Sequence, residues 1–212
     1  NLISKYDCFV KQALSSCGGN GVKKITKGTP TNEIERVVAS LKSDIVVQEA
    51  IVQSDEMSKL NPTSTNTVRV LSFLDSCGKA KVYSAIVRMG VKGSIVDNAS
   101  SGGITCGIQP DGRMKDIAYA SNGTSFEVHP SSGLKFSEVV IPNYSKLLAL
   151  ASELHKSFPH FRLLSWDFAL DKNNEPLVIE VNLCYGELDF HQLNNGPLFG
   201  EDTEKILEEV FL

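Results

Sequence analysis

Two apolar segments on either side of a polar turn constrain the fold more than any other feature of the sequence. The segments cover residues 163–170 and 176–183, and the turn between them, 171–175, reads Asp-Lys-Asn-Asn-Glu. An antiparallel hairpin centred between Asn173 and Asn174 makes one face wholly apolar. Its facing pairs are Leu164 with Leu183, Trp166 with Val181, Phe168 with Ile179, and Leu170 with Leu177. A slip of one residue would destroy this pattern, so the register is strongly specified.

The same register places three oxygen-bearing side chains together on the opposite face. Asp167 lies directly opposite Glu180, and Asn182 follows two residues later. Facing carboxylates in a sheet have Cβ atoms about 4.5–5.5 Å apart and repel each other, so a cation is expected between them. Two carboxylates and an amide oxygen are hard ligands of the kind that suits magnesium. The alternative, in which this face simply meets solvent, stays open on the residues alone.

A lysine followed by small residues near the start of the chain has the composition of a phosphate-binding loop. Lys11 ends an apolar strand, and residues 15–21 read Ser-Ser-Cys-Gly-Gly-Asn-Gly. Small residues let backbone N–H groups approach an anion, and the lysine adds positive charge. The predicted phosphate contacts are Lys11, Ser15, Ser16, Gly18, Gly19 and Gly21. The segment matches neither the P-loop nor the dinucleotide-binding pattern, so a plain glycine-rich hairpin is the open alternative.

The order of predicted elements indicates an α+β protein with two lobes. Residues 1–52 read as strand, loop, strand, helix and strand, which describes a small lobe. A polar segment over residues 53–66 follows as a loop. The larger lobe, 53–212, is predicted to contain strands at 67–74 and 81–89, the hairpin described above, and helices at 145–157 and 203–211.

Composition and charge exclude several classes of protein. Of the 212 residues, 42% are hydrophobic and 22% are charged, with a net charge of -4, which does not describe a disordered chain. Basic residues are spread along the chain, so no nucleic-acid partner is expected. No segment has the eighteen or so consecutive apolar residues of a membrane span. Five cysteines without a C-x-x-C pair favour reduced thiols and a cytoplasmic location.

Three segments resemble, in order, the marks of ATP-grasp enzymes: FVKQALSSCGGNGV at 9–22, IVVQEAI at 45–51 and WDFALDKNNEPLVIEVN at 166–182. The resemblance implies an ATP-grasp fold, in which two α+β lobes with mostly antiparallel sheets enclose a nucleotide cleft. It implies ATP and Mg2+ as cofactors, with the metal on Asp167, Glu180 and Asn182 and the phosphates on the glycine-rich loop. A hinge strand would hold the nucleotide. Its predicted contacts are Gln48, Glu49, Ala50 and Ile51, with Asp55 beyond them.

Five further segments are similar to the sugar-transfer-associated group of ATP-grasp proteins. They read NPTSTNTVRV at 61–70, IVRMG at 86–90, VDNASSGGI at 96–104, HPSSG at 129–133 and HQLNNGPLFG at 191–200. The similarity implies a carboxylate–amine ligase of cell-surface polysaccharide or peptide-sugar biosynthesis, in a group that includes proteins of teichuronopeptide synthesis. The additional N-terminal lobe of that group has no room before Asn1, so a truncated N-terminal lobe is expected.

Two arginines join Lys11 as the predicted catalytic side chains. Arg69 and Arg88 each lie on a strand among apolar neighbours, and fixed positive charge stabilises phosphoryl transfer. The open alternative is that each arginine pairs with a carboxylate of the protein. The predicted substrate contacts are Asn66, Asp97, Asn98, Gly102, Gly103, His129, His191 and Gln192. For the two histidines, which are predicted in polar loops, the alternative is a surface position, and for Asp97 and Asn98 it is a plain turn.

The predicted reaction is ATP-dependent ligation through an acyl phosphate, with a small-molecule acid and an amine as substrates. The acceptor is expected to be a sugar or peptide-sugar precursor. Two rival hypotheses stay open: a phosphotransferase that acts on a sugar or other hydroxyl group, and a non-catalytic ATP-binding module.

Overall fold

The computed structural model describes residues 2–13, 21–41, 44–91, 97, 102–184 and 186–211. The chain divides into two compact units, Asn1–Val52 and Gln53–Leu212. Each unit contains its own antiparallel sheet. Across the described ranges, every helix is too short or too polar to cross a membrane.

The smaller unit is a three-stranded sheet with one helix. Its strands are β1 (Cys8–Gln12), β2 (Lys23–Ile25) and β3 (Ile45–Glu49), in the order β2-β1-β3, and its helix is α1 (Thr31–Ser40). Val10, Ile25 and Leu41 form the buried core of this unit. The predicted order of strand, strand, helix and strand is confirmed, and the loop predicted between the first two strands lies, except for Gly21, outside the described residues.

The described residues of the larger unit form a seven-stranded antiparallel sheet and four α-helices. The strands are β4 (Thr67–Leu74), β5 (Ala80–Met89), β6 (Ile104–Ile108), β7 (Met114–Ala120), β8 (Ser125–Phe126), β9 (Leu163–Leu170) and β10 (Pro176–Asn182). Their order in the sheet is β10-β9-β4-β5-β6-β7-β8. The helices are α2 (Asp55–Ser58), α3 (Tyr144–His155), α4 (Leu188–Asn195) and α5 (Thr203–Phe211). The strands and helices predicted in this part of the chain are confirmed to within one or two residues.

The two faces of this sheet differ in chemistry. The apolar face carries Val68, Val70, Ala85, Val87, Trp166 and Phe168, and α3 packs on it through Leu147 and Ala151. The polar face carries residues that alternate with these along the strands: Thr67, Arg69, Ser84, Arg88, Thr105, Asp167, Glu180 and Asn182. Helix α4 packs against the polar face, where Asn194 Nδ2 donates to Thr105 Oγ1 at 2.8 Å.

The hairpin of β9 and β10 confirms half of the predicted register. Asp167 pairs with Glu180, and Trp166 pairs with Val181, as predicted. Nearer the turn the register is shifted by one residue, so that Phe168 pairs with Val178 and Leu170 pairs with Pro176. The predicted pairs of Phe168 with Ile179 and of Leu170 with Leu177 are therefore wrong.

Two local irregularities produce this shift and cancel before Asp167 is reached. The turn between the strands contains three residues, 172–174, with Asn174 in the left-handed conformation at φ 65. Asp171 Oδ1 closes the turn by accepting hydrogen bonds from the backbone N–H groups of Asn173 and Glu175, both at 2.8 Å. A β-bulge between Val178 and Glu180 then adds one residue to β10 and restores the register that the predicted turn required.

Candidate functional site

Four adjacent strands bring the charged residues of the polar face together. Across β5, β4, β9 and β10, the register places Arg88 opposite Thr67, Arg69 opposite Asp167, and Asp167 opposite Glu180. Side chains of directly paired residues lie on the same face of a sheet. Residues that are far apart in the sequence therefore form one cluster of charges.

Asp167 is the centre of this cluster and is held by two arginines. Arg69 Nε donates to Asp167 Oδ1 at 2.7 Å, and Arg69 Nη2 donates to Oδ2 at 2.6 Å. Arg88 Nη1 donates to the same Oδ2 at 3.1 Å. All three residues are buried, so these ion pairs are shielded from water. The structure confirms the alternative in which the arginines pair with a carboxylate of the protein.

Mutual pairing keeps these buried groups charged. Burial raises the pKa of Asp167, but the hydrogen bonds and charge of Arg69 and the charge of Arg88 outweigh burial and hold the pKa below its ordinary value. Burial lowers the pKa of Arg69, and its hydrogen bonds with Asp167 reverse that effect and raise the pKa overall. A fixed, ionised arginine pair therefore lies on the polar face at neutral pH.

A second carboxylate on this arginine pair, Glu187, is absent from the predicted site. Glu187 accepts a hydrogen bond from Arg69 Nη1, and its Oε2 lies 4.0 Å from Arg88 Nε. It precedes the first residue of α4 and has the left-handed conformation, at φ 52 and ψ 53, that non-glycine residues rarely adopt. Such backbone conformations cost roughly 1–3 kcal/mol and cluster at functional sites. Neither the residue type nor the spacing signals this conformation in the sequence.

Asp97, one of the predicted substrate contacts, lies beside the cluster. Thr67 Oγ1 donates a hydrogen bond to Asp97 Oδ2. Burial raises the pKa of Asp97, and the charge of Arg88 and the bond from Thr67 oppose that effect only in part. Asn98, the next predicted contact, lies outside the described residues.

Glu180 and Asn182 lie beside Asp167 and complete the predicted magnesium set. Glu180 is exposed and lies opposite Asp167 in the sheet. Asn182 Nδ2 donates to the carbonyl oxygen of Ser165 at 3.5 Å, which makes the amide oxygen the atom available to a cation. Two facing carboxyl groups and a neighbouring amide oxygen are hard donors, so this set fits magnesium. The described part of the chain holds no cluster of three or more His, Cys, Asp or Glu residues suited to a metal, and the predicted set contains only two such residues with an amide.

One argument for the metal is corrected by the structure. A cation was expected between Asp167 and Glu180 because their charges repel each other. Arg69 and Arg88 already supply positive charge to Asp167. Charge balance alone therefore does not require a metal, and the magnesium site stays a prediction that rests on donor chemistry.

His191 lies beside this cluster but not in the predicted loop. It is on α4 and fully buried, with Nδ1 at 2.7 Å from Ser84 Oγ and with Nε2 lacking a hydrogen-bond partner among the described residues. Burial and the charge of Arg69 lower the pKa of His191 to about 3, so the ring is neutral. The predicted polar-loop position is wrong because a helix buries the ring against the sheet. Gln192 follows it on α4 and is exposed.

Two other predicted substrate contacts are internal parts of the fold. His129 is fully buried; its Nε2 donates to Gly90 O at 3.0 Å, and its Nδ1 accepts from the backbone N–H of Ser132 at 3.2 Å. Asn66 is also fully buried, and its Nδ2 donates to Met57 O at 2.8 Å. Both side chains hold loops together, and their assignment as substrate contacts stays a prediction.

Two predicted glycine contacts precede β6. Gly102 is exposed and has a left-handed φ of 84, whereas Gly103 is buried. Asp55, predicted to contact the nucleotide, is exposed in the first turn of α2, a helix capped by Ser54, whose Oγ accepts from Met57 N at 3.3 Å.

The smaller unit carries the other predicted nucleotide contacts. Lys11 is half-buried on β1 opposite Val46, and Gly21 has a left-handed φ of 76. Gln48 and Glu49 are exposed at the end of β3. Ala50 and Ile51 follow them and are half-buried. Ser15, Ser16, Gly18 and Gly19 lie outside the described residues.

Comparison with known proteins agrees with the resemblance seen in the sequence. A family model described as sugar-transfer associated ATP-grasp matches residues 2–207. No curated protein matches the sequence.

Solved structures with a similar fold include three enzymes. A biotin carboxylase from Campylobacter jejuni has a TM-score of 0.56 at 16% identity, over 98% of this chain and 38% of that one. An L-amino acid ligase from Bacillus licheniformis has a TM-score of 0.51 at 17% identity, over 92% and 37% of the two chains. A D-cycloserine synthetase has a TM-score of 0.50 at 14% identity, over 87% and 50%. At these identities the likeness concerns the fold, and this chain spans half or less of each of these structures.

Proposed function

The chain belongs to the sugar-transfer associated ATP-grasp family, and on that premise we propose that it is an ATP- and magnesium-dependent carboxylate–amine ligase that acts through an acyl phosphate. The proposed substrates are a small-molecule acid and an amine, one of them a sugar or peptide-sugar precursor of a cell-surface polymer. The proposed location is the cytoplasm, where ATP is available.

The observation that carries this proposal is the buried arginine pair on the polar face. Arg69 and Arg88 are 4% and 3% exposed, and the carboxylate of Asp167 holds both guanidinium groups in place. Donors that are fixed before the reaction do not have to reorganise as charge develops, so they stabilise a transition state more than mobile donors do. A ligase that activates a carboxylate needs fixed positive charge beside the reacting carboxyl group, because negative charge develops there.

In the first proposed step, an oxygen of the substrate carboxylate attacks the γ-phosphorus of ATP. The bond from that phosphorus to the β,γ-bridging oxygen breaks, and ADP leaves with the electron pair. Arg69 and Arg88 are proposed to neutralise charge on the transferred phosphoryl group and on the acid. Asp167, Glu180 and Asn182 would hold Mg2+, which when bound supplies further charge neutralisation at the phosphate oxygens.

In the second proposed step, the amine nitrogen attacks the acyl carbon. The carbon–oxygen bond to phosphate breaks, inorganic phosphate leaves, and the amine loses a proton as the amide forms. The same arginine pair would stabilise the oxyanion of the tetrahedral intermediate.

The smaller unit is proposed to bind the nucleotide. Lys11 would contact the phosphates together with the glycine-rich segment, and the end of β3 at Gln48 and Glu49 would contact the adenine or ribose. Support comes from the exposed positions of these two residues at the end of an antiparallel strand and from the half-buried lysine on the adjacent strand.

Capture of the acyl phosphate tests the proposed function. The full chain is incubated with ATP, Mg2+ and a panel of sugar acids and amino acids, and ADP release is measured with and without hydroxylamine. A ligase releases ADP only with its acid and forms a hydroxamate when hydroxylamine replaces the amine. A phosphorylated hydroxyl acceptor without hydroxamate would indicate a phosphotransferase, and ATP binding without ADP release from any acid would contradict a catalytic role for this chain.

A further inference from the structure

We propose that Glu187 is a displaceable counter-ion, which occupies the carboxylate position on Arg69 and Arg88 until the acid substrate takes its place. The identity of the incoming acid as a ligase substrate rests on the proposed function. The proposal that Arg69 and Arg88 can bind another anion in place of Glu187 does not depend on that function.

The two carboxylates on the arginine pair are held very differently. Asp167 lies within a central strand, its side chain is 4% exposed, and it accepts three hydrogen bonds from the arginines. Glu187 lies just before a helix, its side chain is 33% exposed, and it has one hydrogen bond to Arg69 and a contact of 4.0 Å to Arg88. Asp167 is therefore the permanent partner, and Glu187 is the partner that solvent and a ligand can reach.

The charge count shows what would replace Glu187. Displacement of Glu187 removes one of the two carboxylates that contact the arginine pair, so the pair loses a counter-charge in a desolvated position. Asp97, beside Arg88, already accepts a hydrogen bond from Thr67, and burial raises its pKa. Guanidinium groups bind carboxylates with matched geometry, so a single carboxylate group of a substrate restores both the charge and the hydrogen bonds.

The backbone at Glu187 supports a ligand-dependent role. A residue before a helix normally uses a short polar side chain to cap the first N–H groups, whereas Glu187 makes no capping bond and directs its carboxylate to the arginines. Its left-handed conformation is unfavourable for a side chain with a Cβ atom. Gly186 precedes it in a tight position, where a Cβ atom would lie 3.3 Å from Ser165 Cβ. This segment is therefore built to place the Glu187 carboxylate over the arginine pair, not to begin the helix favourably.

Acetate rescue of Glu187→Gln tests the proposal without ATP. The thermal midpoint of the full chain is measured at neutral pH over a range of acetate concentrations, with chloride keeping the ionic strength constant and acetamide as the uncharged analogue. The wild-type protein is expected to respond weakly, because its own carboxylate competes. Glu187→Gln should melt lower in chloride and regain the lost midpoint in acetate but not in acetamide, with an apparent acetate Kd at least about tenfold lower than that of the wild type. Asp189→Asn, which removes an exposed carboxylate two residues away on α4, should respond like the wild type.

An acetate response of Glu187→Gln that is no stronger than the wild-type response would overturn the proposal, and so would equal rescue by acetamide. If Glu187→Gln does not fold, Glu187→Asp replaces it; this variant keeps the charge but is shorter by one methylene, so an intermediate acetate affinity is expected. Failure of both variants to fold would also overturn the proposal, because a displaceable group cannot be essential to folding. Rescue by acetate in a protein that never releases ADP would support the anion position while removing the ligase function.

Discussion

The apolar and polar faces of the seven-stranded sheet treat their buried polar groups in opposite ways. On the apolar face, Trp166 Nε1 donates to Ser72 Oγ at 2.9 Å, and Ser72 Oγ lies 2.7 Å from His155 Nδ1. His155 Nε2 donates to the carbonyl oxygen of Phe161 at 2.9 Å, which leaves Nδ1 to accept from the serine. Each group in this chain of hydrogen bonds has a partner.

The polar face and α4 hold buried atoms that lack hydrogen-bond partners among the described residues: Ser165 Oγ, His191 Nε2, Asn194 Oδ1 and Asn195 Oδ1. A buried group without a partner costs about 1–3 kcal/mol. The same side of the sheet carries the strained backbone at Glu187 and the buried arginine pair. Features that reduce stability are often retained where they serve binding or catalysis, so the contrast supports the proposal that the polar face carries the function.

The largest effect on stability is expected at Trp166, which points to the apolar face directly beside Asp167 in the sequence. Trp166→Ala should lower the free energy of unfolding by roughly 3–5 kcal/mol, because it leaves a large cavity. Trp166→Phe, which keeps much of the volume and loses the hydrogen bond to Ser72, should cost less. Urea denaturation measures both values, and the emission maximum of this single tryptophan should be that of a buried indole. A solvent-exposed emission spectrum would break the assignment of Trp166 to the apolar face.

Acidic pH is expected to lower the free energy of unfolding, because the fold buries histidines in their neutral form. Burial lowers the pKa of His129 and of His155, and it lowers the pKa of His191 to about 3. The unfolded chain takes up protons below about pH 6.5 and the folded chain does not, so stability is complete above that pH and falls as the pH decreases. His191 alone should account for about 2 kcal/mol between pH 7 and pH 5.

The pH dependence separates His191 from an exposed histidine. Urea denaturation at pH 7 and pH 5 should show a smaller loss for His191→Gln than for the wild type. His160→Gln, at an exposed position, should show the full loss. A His191→Gln protein that loses as much stability as the wild type would mean that this ring is not held neutral by the fold.

A smaller loss is expected where α4 approaches the polar face at Gly107. A Cβ atom there would lie 2.4 Å from Asn195 Oδ1, 2.8 Å from Lys115 Cδ and 3.1 Å from Asn194 O. Gly107→Ala should therefore cost roughly 1–3 kcal/mol by overpacking. The Gly107→Ala/Asn195→Ala double variant removes the closest clash, so a double-mutant cycle should show a favourable coupling energy. Strict additivity would mean that α4 does not pack on β6 as described.

The hairpin shows how the pairing of Asp167 with Glu180 was predicted correctly although the register nearer the turn was not. The alternation of Trp166, Asp167, Glu180 and Val181 predicted the pairing correctly, because one buried face specifies it. The predicted turn was centred between Asn173 and Asn174, whereas the observed turn is centred on Asn173, and a bulge beside Ile179 offset that difference before Asp167. Bulges and left-handed turn residues such as Asn174 carry no reliable pattern of hydrophobicity, so the outer pairs could not be predicted.

The arginine cluster shows what local patterns leave out. Arg69 and Arg88 were predicted as functional side chains, but their partner depends on β4 pairing with β9, which joins segments about a hundred residues apart. Glu187 and the burial of His129 and His191 depend in the same way on tertiary packing. His191 lies on a helix and not in the predicted loop, whereas His129 lies in a loop but is buried. Polar neighbours in the sequence do not indicate whether a ring is buried.

Glu180→Gln tests most directly whether the polar face is the functional site. Glu180 is exposed, so the substitution should change the free energy of unfolding by no more than about 0.5 kcal/mol. If Glu180 holds the metal with Asp167 and Asn182, calorimetry should show magnesium-dependent ATP binding weakened by at least about tenfold, because a charged metal ligand is lost. Glu175→Gln, in the exposed turn of the same hairpin, is the matched control and should bind like the wild type. A Glu180→Gln protein with wild-type magnesium dependence would contradict the assignment of function to this face.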